Sequence, residues 1–181
     1  KALNGAGIEI HRFSPANSRL GRLATCLREH RIDFVVDVGA NEGQFAQDLR
    51  TGGFGGRILS LEPMTVAHRL LTEASRGDSA WMVHPRCALG ASEGQIELNI
   101  SNNSVSSSVL PMLPAHSQAA PQSVYLGKET VSLTTLDLIA ANFLREAQAP
   151  FLKIDTQGYE SKVLKGAENS LPSIDTVQME M

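Results

Sequence analysis

Three carboxylates stand where apolar runs stop. Asp37 breaks the run that starts at Phe34-Val35-Val36, Glu62 follows Arg57-Ile58-Leu59-Ser60-Leu61, and Asp155 follows Phe151-Leu152-Lys153-Ile154. A carboxylate so placed can accept from both hydroxyls of a ribose. It can balance a cationic centre in a low-dielectric cleft, or take the proton of an alcohol nucleophile. Asp155 is the first candidate for a base or substrate orienter, and His84 and His116 are weaker ones. A cofactor-side or structural role for Asp155 stays open. A single histidine in a strand is more often hydrogen-bonded in a core than catalytic. Asp155 could also ligate a divalent ion, but no second ligand cluster accompanies it, so no metal residue is assigned.

Beside the first acid lies the pattern Asp37-x-Gly39-x-x-x-Gly43. Phe45, Ala46 and Leu49 then recur with helical spacing, which puts both glycines in a strand-to-helix turn. Glycine there permits a positive φ and close approach of a ligand, and the turn is expected to offer free amides at a helix N-terminus. A phosphate loop would need Lys-Ser/Thr after its last glycine, where Gln44 stands. The dinucleotide fingerprint would need glycine at Asn41. Glu62 falls near the ~20-residue spacing at which a second-strand acid receives ribose hydroxyls, and Pro63 stops that strand.

The elements that carry these residues alternate strand and helix, which predicts a doubly wound, mostly parallel α/β sheet. Ser14 as N-cap and Pro15 at the first helical position open a lead-in helix within residues 1–33, with Leu20, Leu23, Ala24 and Leu27 on its apolar face and its end near His30. Residues 34–181 form the main domain. Its expected elements are a strand at 34–38, a glycine-rich linker at 51–56 and a strand at 57–62. A helix with Val66, Leu70 and Ala74 inward and a strand over Trp81–Cys87 follow. Ala88-Leu89-Gly90 is small and apolar, the chemistry of a flat adenine slot. Gly94–Ile100 alternates as a half-buried strand, and the Ser- and Pro-rich segment 101–127, which holds His116, reads equally as a substrate-facing loop or a linker. A strand at Glu129–Leu133, a helix capped at Thr134–Thr135, the strand ending at Asp155, and a helix with Val163, Leu164, Ala167 and Leu171 complete the pattern before a strand from Ile174.

Four ordered blocks carry a family resemblance. They are Val36-Asp37-Val38-Gly39-Ala40-Asn41-x-Gly43, Leu61-Glu62-Pro63, Ala88-Leu89-Gly90, and Leu152-Lys153-Ile154-Asp155-Thr156-Gln157-Gly158-Tyr159-Glu160 with Val163-Leu164-Lys165-Gly166-Ala167. Together they resemble the FkbM-type family of S-adenosylmethionine (SAM)-dependent methyltransferases, bacterial enzymes that mostly O-methylate sugars, glycolipids and polyketide products. Many members have Glu where this chain has Gln157. The resemblance implies a Rossmann-like SAM-binding sheet, normally of seven strands; family members usually run on past the point that Met181 matches, and whether this chain does so stays open. It makes Asp37, Gly39, Ala40, Asn41 and Gly43 contacts to the methionine portion of SAM. Glu62 with Pro63 would hold the ribose, Ala88 and Leu89 would flank the adenine, and Asp155 would face the sulfonium.

The 181 residues, 42% hydrophobic and 19% charged, suit one globular domain, and the net charge of −3 offers no attraction for nucleic acid or anionic membrane. No apolar run reaches the ~20 residues of a membrane span, and no signal peptide is visible. The two cysteines, Cys26 and Cys87, form no CxxC pair and read as free thiols, so a reducing, cytoplasmic location is expected. The chain starts at Lys1 without methionine and reads as trimmed. The expected acceptor is a small-molecule or glycolipid hydroxyl, with oligomeric state open. Two other readings compete: a nicotinamide-dependent oxidoreductase on a similar sheet, disfavoured by Asn41 and by the lack of Tyr-x-x-x-Lys, and a catalytically inactive SAM-fold binding module.

Overall fold

A computed structural model describes residues 18–101 and 125–179. The segment 34–38 is buried at every position, as a strand flanked by neighbours on both edges and covered on both faces must be. This strand, β1 (Phe34–Val38), pairs in parallel with β2 (Arg57–Leu61) on one side and with Pro150–Ile154 on the other. Counting in chain order, β3 is Trp81–Val83, β4 Ala88–Leu89, β5 Gly94–Ser101, β6 Tyr125–Thr134, β7 Pro150–Ile154 and β8 Thr176–Met179. The main sheet is all-parallel, in the order β3-β2-β1-β7-β8.

Alternation along the strands sorts the core onto two faces. Phe34, Val36, Val38, Leu59, Leu61, Leu152 and Ile154 face one layer of helices, α4 (Leu136–Leu144) and α5 (Glu160–Lys165). Val35, Ile58 and Phe151 face the other layer, with α1 (Arg19–Glu29), α2 (Gln44–Thr51) and α3 (Thr65–Ala74). Helices on both faces of a parallel sheet make the doubly wound α/β arrangement expected from the sequence. The lead-in helix belongs to this core through Leu27, and Ile32 behind it is buried in the same cluster.

A second, three-stranded sheet has the order β4-β6-β5, with β4–β6 parallel and β5–β6 antiparallel. Its own small core is Ala88, Leu98 and Val131, with Met64 packed against it.

The structure corrects several expected boundaries. The strand foreseen over Trp81–Cys87 is broken: β3 ends at Val83, and Ala88–Leu89 leave for the second sheet, pairing with Leu133 and Thr134. On α3 the inward residues are Ala67 and Leu71, while Val66 is 61% exposed, so the helix is turned by about one residue from the expected face. That phase is set at its start, where Met64 N donates to Glu62 and Glu129, reaching over from β6, accepts from Thr65 N. The final α-helix stops at Lys165, and its C-cap Gly166 runs so close to Gly90 that a Cβ would sit 1.9 Å from the Gly90 oxygen. The lead-in helix carries its cap at Ser18, whose Oγ accepts from Gly21 N at 2.9 Å. Ser14, Pro15 and His116 lie outside the described residues.

Candidate active site at the strand carboxyl ends

Parallel strands deliver their carboxyl ends to one edge, and in an open sheet the chain connections part there to leave a crevice. In this sheet β1 leads outward to β2 on one side, and β7 leads to β8 on the other, so the parting falls between β1 and β7. The three carboxylates foreseen from the sequence meet this edge: Asp37 in β1, Glu62 just past β2 and Asp155 just past β7.

Asp37 is fully buried and lies in register with Lys153 of the neighbouring strand. The ammonium of Lys153 is 3.1 Å from Asp37 Oδ1, 3.6 Å from Asp155 Oδ2, and donates to the Gly39 carbonyl at 3.1 Å. It also lies 5.6 Å from the centroid of the Phe45 ring. Burial pushes the Asp37 carboxyl above its ordinary value, against the opposing pull of Lys153. Neither Asp37 oxygen has a hydrogen-bond partner, so the Lys153 contact at Oδ1 is an ion pair.

Glu62 is buried with both oxygens engaged: Oε2 accepts from Asn41 N and Oε1 from Met64 N, each at 2.8 Å. Burial outweighs these bonds and raises its pKa to about 7. Each oxygen keeps a lone pair for a further donor. Asn41 adopts φ 49°, and its side-chain oxygen is buried without a partner. The unmet groups at this edge are therefore hydrogen-bond acceptors.

Asp155 is the exposed member, with 21% of its side chain open. Its Oδ1 accepts from Gln157 Nε2 at 2.7 Å. The loop that follows is tied by Glu160, whose Oε1 accepts from Thr156 N, Thr156 Oγ1 and Gly158 N. Burial would raise the Glu160 pKa, but these hydrogen bonds prevail and hold it below its ordinary value. Glu160 thus shapes the turn that presents Asp155.

The glycines act differently from expectation. At Gly39 (φ +73°) a Cβ would lie 1.8 Å from the Asp155 carbonyl oxygen, and at Gly43 (φ +93°) it would lie 2.9 Å from the Trp81 ring. Each leaves room for the protein's own atoms. The amides of Gly39 and Ala40 donate to Leu61 O, that of Asn41 to Glu62 and that of Gly43 to Ala40 O, so these four are not the free amides foreseen. Pro63 O accepts from Arg86, while Ala88 and Leu89 are buried in two different clusters.

His84 stands beyond β3, three strands over from β7 in the sheet order, which is roughly 14 Å at ~4.8 Å per strand. Its Nδ1 is 2.8 Å from Pro85 O and 3.3 Å from the Cys87 thiol, and burial raises that thiol to about 11. The structure does not bring His84 to Asp155.

Lys153, part of the fourth sequence block, is the site residue to which the motif gave no role. The signal was present: a lysine inside Phe151-Leu152-Lys153-Ile154, a strand otherwise wholly apolar, demands a buried partner.

A doubly wound parallel sheet with its acids gathered at the carboxyl-end crevice has the form of a Rossmann-like methyltransferase domain. Residues 37–181 match the methyltransferase FkbM domain, and the chain belongs to that family; it is a methyltransferase. No curated protein matches the chain.

Proposed function

We propose that the protein is a cytoplasmic SAM-dependent O-methyltransferase acting on a hydroxyl of a sugar, a glycolipid or a polyketide-type product. The observation that carries this reading is the acceptor-rich edge formed by Asn41, Glu62 and Asp155, within a chain of the FkbM family. SAM offers what those groups lack: ribose hydroxyls, an ammonium and a sulfonium charge. In this reading Glu62, next to Pro63, takes the ribose, and Ala88 and Leu89 flank the adenine. The turn Gly39-Ala40-Asn41 with Gly43 takes the methionine portion, with Asp37 as the buried charge behind it. When bound, SAM supplies an electrophilic methyl group.

The chain's own contribution is orientation and proton handling. Gln157 occupies Asp155 Oδ1, while Oδ2, with the Lys153 ammonium 3.6 Å away on its buried side, is the oxygen to accept the hydroxyl proton of the acceptor. Holding an alcohol in line replaces much of the entropy cost of a bimolecular encounter. His84, engaged with Pro85 across the sheet, is the weaker candidate for this role. Among the described residues no group of His, Cys, Asp and Glu is placed to hold a metal ion, and no helix is long and apolar enough to cross a membrane.

Calorimetric titration tests the cofactor: SAM and S-adenosylhomocysteine are expected to bind and NADH is not. Binding of NADH alone would support the oxidoreductase reading, and binding of none would remove the SAM assignment. Labelled SAM incubated with glycolipid and metabolite fractions then tests transfer; SAM binding without transfer to any fraction favours a binding module.

A further inference from the structure

We propose that Lys153 is the positioning residue of this site, a buried tripod that sets the Asp155 carboxylate and the Gly39 turn in place, with Asp37 as its counter-ion. The inference rests on the cofactor reading above. Three oxygens surround this ammonium: it donates to the Gly39 carbonyl at 3.1 Å and forms ion pairs with Asp37 Oδ1 at 3.1 Å and Asp155 Oδ2 at 3.6 Å. These acceptors come from β1, from the turn after β1 and from the residue after β7. The lysine therefore ties together the two banks of the crevice. Its side chain is 6% exposed and that of Asp37 0%, so neither can serve as an outer ligand contact while Asp155 remains open at 21%.

The charges explain why the arrangement needs both buried members. Either charge buried alone in this apolar strand would be left uncompensated, at a large cost. As a pair they offset each other, and the ammonium also donates to the Gly39 carbonyl and faces Asp155 Oδ2 at 3.6 Å. Asp37 is thus the reason Lys153 can act on the crevice, and Lys153 is the route by which Asp37 reaches it.

Removing the pair together separates structure from positioning. Asp37→Val/Lys153→Met leaves the net charge unchanged and replaces a buried ion pair by apolar groups, a change proteins often tolerate. Lys153→Met alone strands Asp37 and is expected to melt well below wild type. The double variant is expected to recover most of that stability yet bind SAM and S-adenosylhomocysteine at least tenfold more weakly. Without any ligand, its Asp155 amide, which donates to Val38 O, should exchange at least tenfold faster, while mid-strand amides of Val36 and Leu152 stay protected. A folded double variant with wild-type affinity and exchange would reduce Lys153 to a partner for Asp37 and overturn the proposal.

Should the double variant not fold, Lys153→Arg decides. It keeps the charge beside Asp37, but a planar fork cannot serve three acceptors arranged as a tripod. At least fivefold weaker binding is expected, and unchanged binding overturns the proposal. If wild type binds neither nucleoside, the cofactor reading fails by itself, and amide exchange in either variant still decides whether Lys153 holds the turn.

Discussion

Replacing Gly39 by alanine should damage this protein far more than the same change at the exposed turn residue Gly53. Two terms contribute. The residue sits at φ +73°, a region that costs an L-residue about 1–2 kcal/mol. The new Cβ would also fall 1.8 Å from the Asp155 carbonyl oxygen and 2.9 Å from its carbon. That carbonyl cannot retreat freely, because Asp155 N is bonded to Val38 O at 3.0 Å and β7 is registered on β1 throughout its length. Overpacking of this kind costs about 1–3 kcal/mol, so the loss should be about 3 kcal/mol, a large part of a typical domain's stability. Gly53→Ala is the control: φ is +86°, but nothing lies within 4 Å of its Cβ, so the left-handed cost of about 1 kcal/mol acts alone. Urea unfolding of the two variants against wild type measures the contact as their difference, expected to be about 2 kcal/mol. Equal losses would refute the claim that Gly39 is glycine because of Asp155.

Other outcomes follow from the same structure. Glu62 has a folded-state pKa of about 7 against an ordinary 4.5, so the ligand-free protein should lose about 3 kcal/mol as pH rises through that window. Glu62→Gln should flatten that slope in melting experiments, and an unchanged slope would show that another group causes it. Asp137 shows the opposite sign. It accepts from Ser170 Oγ, Ser170 N and Asn169, and these bonds overcome burial to hold its pKa below the ordinary value. Asp137→Ala should therefore destabilise at neutral pH, with the deficit shrinking as pH falls below about 4; a deficit independent of pH would count against this. Glu129→Ala removes the acceptor that caps α3 from the second sheet and should cost about 1 kcal/mol in urea unfolding. Asp37→Ala and Glu62→Ala should each weaken SAM at least tenfold by calorimetry, and unchanged affinity in both would place the ligand in another cleft.

The second sheet shows where reading a sequence by pattern loses its grip. Trp81 to Cys87 looks like one strand because apolar residues recur along it, yet hydrogen bonding to β2 ends with His84 N on Ser60 O, and Ala88 is drawn to β6. Pro85, which cannot donate to a ladder, marks the break, but the sheet that Ala88 then joins is a long-range choice. The one-residue rotation of α3 is similar: Val66 and Ala67 are both apolar, and the contacts at the helix start from Met64 N to Glu62 and from Thr65 N to Glu129 set which one turns inward. Gly39 and Gly43 were recognisable as positive-φ positions, but their neighbours Asp155 and Trp81 lie far along the chain.

By itself the sequence determined the order of strands and helices, the α/β class and the placing of Asp37, Glu62 and Asp155 at strand ends. Those features follow from periodicity and from residues that stop a strand, which act over a few positions. The tertiary structure decided that β7 lies against β1, which sets Lys153 beside Asp37 and within reach of Asp155. A buried charge takes its meaning from the partner that folding brings to it, and here that partner sits on a strand more than half the chain away.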